Sequence, residues 1–155
     1  MKSRSSKLQV SSSKEIPISK FQNGLYPDLQ ASQAFILNDD ETSKPPFSLE
    51  ERLALFGESI VRFCKRIPRG PENDRLISQL VGAGTSVGAN YCEANESVSK
   101  KDFRCSISRC KKEVKEAKFF LRMIVASEPR LSDDARKLYR EATELQRILA
   151  AMYNK

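Results

Sequence analysis

The chain is 155 residues long, 39% hydrophobic and 30% charged, with a formal net charge of +7 and no histidine. That length and balance fit one domain with a modest core and a well-solvated surface. The missing histidine excludes Ser-His-Asp and Cys-His catalysis and the Glu-x-x-His pairs of a di-iron bundle, and it removes the commonest ligand of catalytic zinc.

No run of 18 apolar residues is present, so no membrane span is expected. The N-terminus lacks the apolar stretch of a secretory signal peptide, and a cytoplasmic location is the expectation. Cys64, Cys92, Cys105 and Cys110 show no CxxC spacing. They read as small buried hydrophobes kept reduced rather than as disulfides or zinc ligands. No metal and no cofactor is expected.

Residues 1–46 are rich in Ser and Lys and carry no sustained period, which reads as an N-terminal extension that is flexible or docks on a partner. Its cluster Ala34-Phe35-Ile36-Leu37 could dock on a partner or on the folded part, and Pro45-Pro46 ends it. Residues 47–155 carry four helical patterns, at about 48–67, 71–96, 100–127 and 132–154. Ser48 with Glu51 forms a capping-box pattern. Leu49, Leu53, Phe56, Ile60, Phe63 and Ile67 then make one stripe, stopped by Pro68 and Gly70.

Pro71 suits the first turn of the second helix. Its stripe is Leu76, Leu80, Ala83, Val87, Asn90 and Ala94, and it holds Gly82, Gly84 and Gly88. Glycine costs about 1 kcal/mol against alanine inside a helix, so the glycines predict close passage of another backbone; a loop is the competing reading. Ser99 with Asp102 caps the third helix, whose stripe is Phe103, Ile107, Cys110, Val114, Ala117, Leu121 and Ile124. Glu128-Pro129 closes it. Ser132, with Asp133 and Asp134 at the positive end of the dipole, opens the fourth, with Ala135, Leu138, Ala142, Leu145, Leu149 and Met152 as its stripe.

Four amphipathic helices on short loops predict an all-α, antiparallel up-down-up-down four-helix bundle with an N-terminal extension. Leu55, Ile77, Val81, Tyr91, Phe119, Phe120 and Met123 fall off the stripes. They imply either self-association or a wide core stripe.

The charge is unevenly spread. Residues 1–46 hold six Lys/Arg against five Asp/Glu, and residues 47–155 hold 21 against 15. Residues 100–122 alone hold nine against three, so the whole surplus of the folded part lies on the third helix. At about 100° per residue, Arg104, Lys111, Lys115, Lys118 and Arg122 fall within roughly 60° of one another, beside the apolar stripe. Glu113 and Glu116 point away, and Lys100 and Lys101 add charge at the helix start. Two readings stand: a solvated face with i,i+4 pairs or compensating acids nearby, or a surface for nucleic-acid phosphate. Phe119, beside this face, is expected to pack rather than stack on bases. Ser86, Asn90 and Glu93 lie within two turns of the second helix; Asn90, in register with the stripe, is expected to be buried and bonded to Ser86, Glu93 or a facing helix, a structural network rather than a reactive one.

Ser86-Val87-Gly88-Ala89-Asn90-Tyr91-Cys92-Glu93-Ala94, followed by Ser99-Lys100-Lys101-Asp102-Phe103, resembles the signature of the four helix bundle protein family, first noticed in proteins encoded by intervening sequences in bacterial large-subunit ribosomal RNA genes. The accessory variability determinant of diversity-generating retroelements looks like a relative. The resemblance covers about residues 48–154. It implies a homopentamer, with Ser86, Asn90, Glu93 and Glu116 as a structural polar signature. By analogy with the relative it implies a basic surface partnered by nucleic acid and a reverse transcriptase. Ala94 stands where the family usually has Gly, and Lys112-Glu113 where it often has Gly-Ser.

The expected function is therefore a non-enzymatic oligomeric adaptor. It would bind RNA or DNA electrostatically through Lys100, Lys101, Arg104, Lys111, Lys115, Lys118 and Arg122, beside a reverse transcriptase or other nucleic-acid enzyme. The alternative is a protein–protein scaffold with no nucleic-acid role. No convergent carboxylate pair or glycine-rich phosphate loop supports an enzyme.

Overall fold

The structure, a computed structural model, describes residues 48–154. The expected extension at residues 1–46, with its Ala34–Leu37 cluster, lies outside the described residues, as do Phe47 and Lys155. The described chain forms α1 (Leu49–Cys64), α2 (Pro71–Asn95), α3 (Lys100–Ser127) and α4 (Ser132–Tyr153), with a 3-10 turn at Pro129–Leu131 before α4. No strand occurs among the described residues. Each helix packs on the next and α4 returns to α1, which closes an all-α antiparallel four-helix bundle.

Local chemistry sets the ends. Ser48 Oγ accepts the Glu51 N–H at 3.1 Å and opens α1. Ser99 Oγ accepts the Asp102 N–H at 3.1 Å and donates to the Asp102 carboxylate at 2.6 Å. Both satisfy donors that a helix start leaves open. Asp134, in the first turn of α4, accepts from Arg66 at 2.7 Å, and this bond holds its carboxyl below the usual carboxylate range. α1 ends at Cys64, yet Ile67 beyond it is still buried, so the linker continues the core.

Leu53, Phe56, Ile60, Phe63, Leu80, Ala83, Val87, Ile107, Cys110, Val114, Ala117, Leu121, Ile124, Ala135, Leu138, Ala142, Leu145 and Leu149 make one core. The stripe of α2 differs from the expected one. Tyr91, not Asn90, occupies the core position between Val87 and Ala94; the two lie equally far round the helix from those neighbours, and the facing helices decide between them. Asn90 is half-buried on the flank, where its Nδ2 donates to the Ser86 carbonyl at 2.8 Å within its own helix. Among the off-stripe residues Leu55 and Tyr91 are buried, whereas Ile77, Val81, Phe120 and Met123 are half-buried. The cysteines divide: Cys64 and Cys110 are buried, with thiols pushed up to about 12 and about 11 by burial, but Cys92 and Cys105 are exposed, against expectation. The exposed pair falls on faces of α2 and α3 away from the core stripe. All four are free.

Two polar contacts tie the bundle ends. Arg52 of α1 makes a bidentate bond to Glu141 of α4, at 2.6 and 2.9 Å, with Glu141 only 4% exposed. Buried Asn73 donates to the Pro68 carbonyl and to Glu128, both at 3.0 Å, and accepts from Ser127 at 2.7 Å. Among the described residues no buried side-chain polar atom lacks a partner, as a stable interior requires.

α2 is one continuous helix through its glycines, so the loop reading falls. The glycines meet α1. A Cβ on Gly84 would lie 2.8 Å from both γ-carbons of Ile60, and one on Gly88 would lie 3.9 Å from the Leu53 carbonyl. Gly57 of α1 faces the Gly84 carbonyl from the other side. Gly82 is different, since a Cβ there meets nothing within 4 Å. Opposite signs follow. Gly84→Ala should destabilise by about 1–3 kcal/mol, because Ile60 is β-branched and its core position is full. Gly82→Ala should stabilise by about 0.5–1 kcal/mol through helix propensity alone. Urea denaturation of the two variants checks both.

Candidate nucleic-acid interface

The direction in which α3 buries its stripe decides where its cations go. Ile107, Cys110, Val114, Ala117, Leu121 and Ile124 turn inward, and this places Arg104, Lys111, Lys115, Lys118 and Arg122 on the flank nearest α4. Lys100 and Lys101 are exposed at the start of α3, where the helix dipole adds positive potential.

Across from this flank, α4 presents Tyr139, Gln146 and Tyr153 at steps of seven. The Lys111 ammonium lies 4.1 Å from the Tyr153 ring centroid and the Arg104 guanidinium 4.8 Å from it. The Lys118 ammonium lies 4.7 Å from the Tyr139 centroid and donates to Gln146 Oε1 at 3.1 Å. These contacts set the charged groups themselves over the ring faces, where the ring quadrupole attracts them without cancelling their charge. Lys115, Arg122, Lys100 and Lys101 project into solvent.

None of these seven cations pairs with a carboxylate among the described residues. The contrast lies on the same helix. Arg109 pairs with Glu93 of α2 at 3.1 Å, and Lys112 pairs with Glu116 at 3.5 Å; both lie off the basic flank. The i,i+4 pairing offered by a solvated face therefore occurs on α3 only where the seven are not. α4 does not compensate them either. Its Arg136 and Arg147 are paired within their own helix, and exposed Arg140 meets no carboxylate among the described residues.

Asn90, Glu93 and Glu116 do not join this flank. Glu93 is exposed and bridges α2 to α3 through Arg109, and Glu116 faces outward on the other side of α3. With Ser86 they form a polar edge between α2 and α3. Glu113, on that edge, has its carboxyl raised by burial and then by nearby Glu116.

Sequence reasoning missed the tyrosine wall. Tyr139, Gln146 and Tyr153 recur every seven residues beside the α4 stripe, and that spacing was a usable signal. It also misjudged Phe119. The ring meets Phe120 edge-on, with centroids 5.2 Å apart, but stays 52% exposed, because its position on α3 faces away from both neighbouring helices. No group of three or more His, Cys, Asp or Glu among the described residues could hold a metal ion. No helix among them is long and apolar enough to cross a membrane.

Residues 51–151 match the family model described as 23S rRNA-intervening sequence protein. A solved structure from Bacteroides thetaiotaomicron VPI-5482, a protein with unknown function from the S23 ribosomal protein family, is 22% identical to this chain with a TM-score of 0.62. The match covers 70% of this chain and 100% of that one, and it shows the shared bundle fold. No curated protein matches the chain.

The unneutralised charge has a cost that stability measurements can read. Lys115 has Lys111, Lys112 and Lys118 as its i−4, i−3 and i+3 neighbours. Lys115→Glu should raise the unfolding free energy by about 0.5–1 kcal/mol, since each like pair becomes an opposite pair worth some tenths. Urea denaturation at low salt checks the gain, which should shrink as salt screens it.

Proposed function

From the premise that this chain belongs to the 23S rRNA-intervening sequence protein family, we propose that it is a non-enzymatic, oligomeric adaptor that binds RNA or DNA through the flank between α3 and α4. The observation that carries this reading is that seven cations along one helix have no carboxylate partner among the described residues, while the other two cations of that helix are paired. Like charges held together cost folding free energy, and a polyanion repays it when it binds.

Phosphate is the fitting partner. The flank runs along a 28-residue helix, and that length suits a repeating backbone charge rather than a single small anion. No array of side chains aimed into a groove reads base edges, so affinity would come from charge and backbone shape. Both RNA and DNA carry such a backbone; structured RNA is the first probe. In this proposal the chain acts as a homo-oligomer, a pentamer by the resemblance, and presents one such flank per subunit to a nucleic-acid enzyme such as a reverse transcriptase.

Binding to structured RNA should weaken linearly in log salt, with a slope near −0.7 to −0.9 per phosphate neutralised. The triple variant Lys111→Glu/Lys115→Glu/Lys118→Glu should abolish it while its thermal melt stays cooperative. Fluorescence anisotropy between low and moderate salt checks this. Affinity unchanged in the triple variant sinks the proposal.

A further inference from the structure

Phe119 is one of two large hydrophobic side chains left exposed among the described residues. The other, Val98, lies in the turn between α2 and α3, just before Lys100 and Lys101, and carries no ring. Phe119 sits beside the row of cations, on the outward side of α3. Lys115 is its i−4 neighbour and Arg122 its i+3 neighbour, so both share its side of the helix. Neither pairs with a carboxylate among the described residues. On the opposite side Glu116 is held by Lys112, and Met123 is half-buried.

The ring also has an aromatic neighbour. Its contact with Phe120 is edge-to-face, at an interplanar angle of 79°. Such a contact can cover at most one face of a ring. A half-exposed aromatic face beside two cations that have no carboxylate partner among the described residues can take an unpaired base on the ring and the flanking phosphates on the cations. A duplex cannot use it, because its bases are stacked inside.

We infer that Phe119, Lys115 and Arg122 form a stacking site for an unpaired nucleotide, so the flank prefers single-stranded or looped nucleic acid over plain duplex. This rests on the nucleic-acid reading above and adds the ligand class.

The chain contains no tryptophan, so Phe119→Trp introduces a single reporter. The probes are a single-stranded RNA of about 12 nucleotides, within the range one such surface engages, and the same strand annealed to its complement. Single strand should quench the indole fluorescence of the full-chain Phe119→Trp variant, and duplex should not. Phe119→Ala should bind the single strand about tenfold or more weakly than the unchanged protein, with duplex affinity within about twofold. Single-strand affinity that Phe119→Ala leaves unchanged, or an equal loss on both probes, overturns the stacking site. If the Lys111/Lys115/Lys118 reversal still abolishes binding in that case, the adaptor reading stands without it. If the unchanged protein binds neither probe, both readings fall. Cooperative melting of each variant confirms that the fold is intact.

Discussion

The inward stripe of α3 orients the rest of the molecule. Ile107, Cys110, Val114, Ala117, Leu121 and Ile124 are each 1% exposed or less. Burying one such aliphatic side chain is worth about 1.5–3 kcal/mol, whereas one like-charge pair on a helix surface costs some tenths. The core therefore wins the contest over how α3 is rotated, and the cations go where the stripe sends them. Their proximity is a consequence of sequence spacing, enforced by packing. What remains for selection to choose is whether acids are placed to neutralise them. On α3 that choice was made for Arg109 and Lys112 and not for the seven on the α4 flank.

The other helices hold that orientation. α2 lets α1 approach closely at Gly84 and Gly88, where Ile60 and the Leu53 backbone fill the space a side chain would take. α1 is fastened to α4 by the bidentate Arg52–Glu141 pair. Losing one partner of such a pair strands a buried charge, so it fixes how the two helices register even where its net contribution is small. Asn73 joins the α1–α2 linker to the end of α3 through Pro68, Ser127 and Glu128. α4, placed by these contacts, brings Tyr139 and Tyr153 under the charged groups of Arg104, Lys111 and Lys118. The basic flank is thus a joint product of two helices.

The helices, their order and most of the core were legible because stripes at steps of 4 and 3 depend on burial alone, which is a property of each helix by itself. Asn90 shows where that ends. Position 90 and position 91 are both compatible with the rhythm, and only the facing helices decide between them. Cys92 and Cys105 were misread for a related reason, since residue type was weighed above helical phase. The cations of α3 were legible as a cluster, but whether they were neutralised was not, because the acids that could do it belong to other helices. Phe119 was the largest misreading. An aromatic in an amphipathic helix suggests packing, but helical phase puts Phe119 almost opposite the α3 stripe, where no other helix among the described residues covers it.

These features describe a bundle whose chemistry is on its surface. The most direct measurement is photo-crosslinking of the full chain to a structured RNA carrying 4-thiouridine, with the crosslinked residues located by mass spectrometry. The account predicts crosslinks on α3 between Lys100 and Arg122 and on the α4 residues beside it, Tyr139 and Tyr153 among them. Crosslinks confined to the α1–α2 side, around Glu50, Ala54 and Glu58, would contradict it.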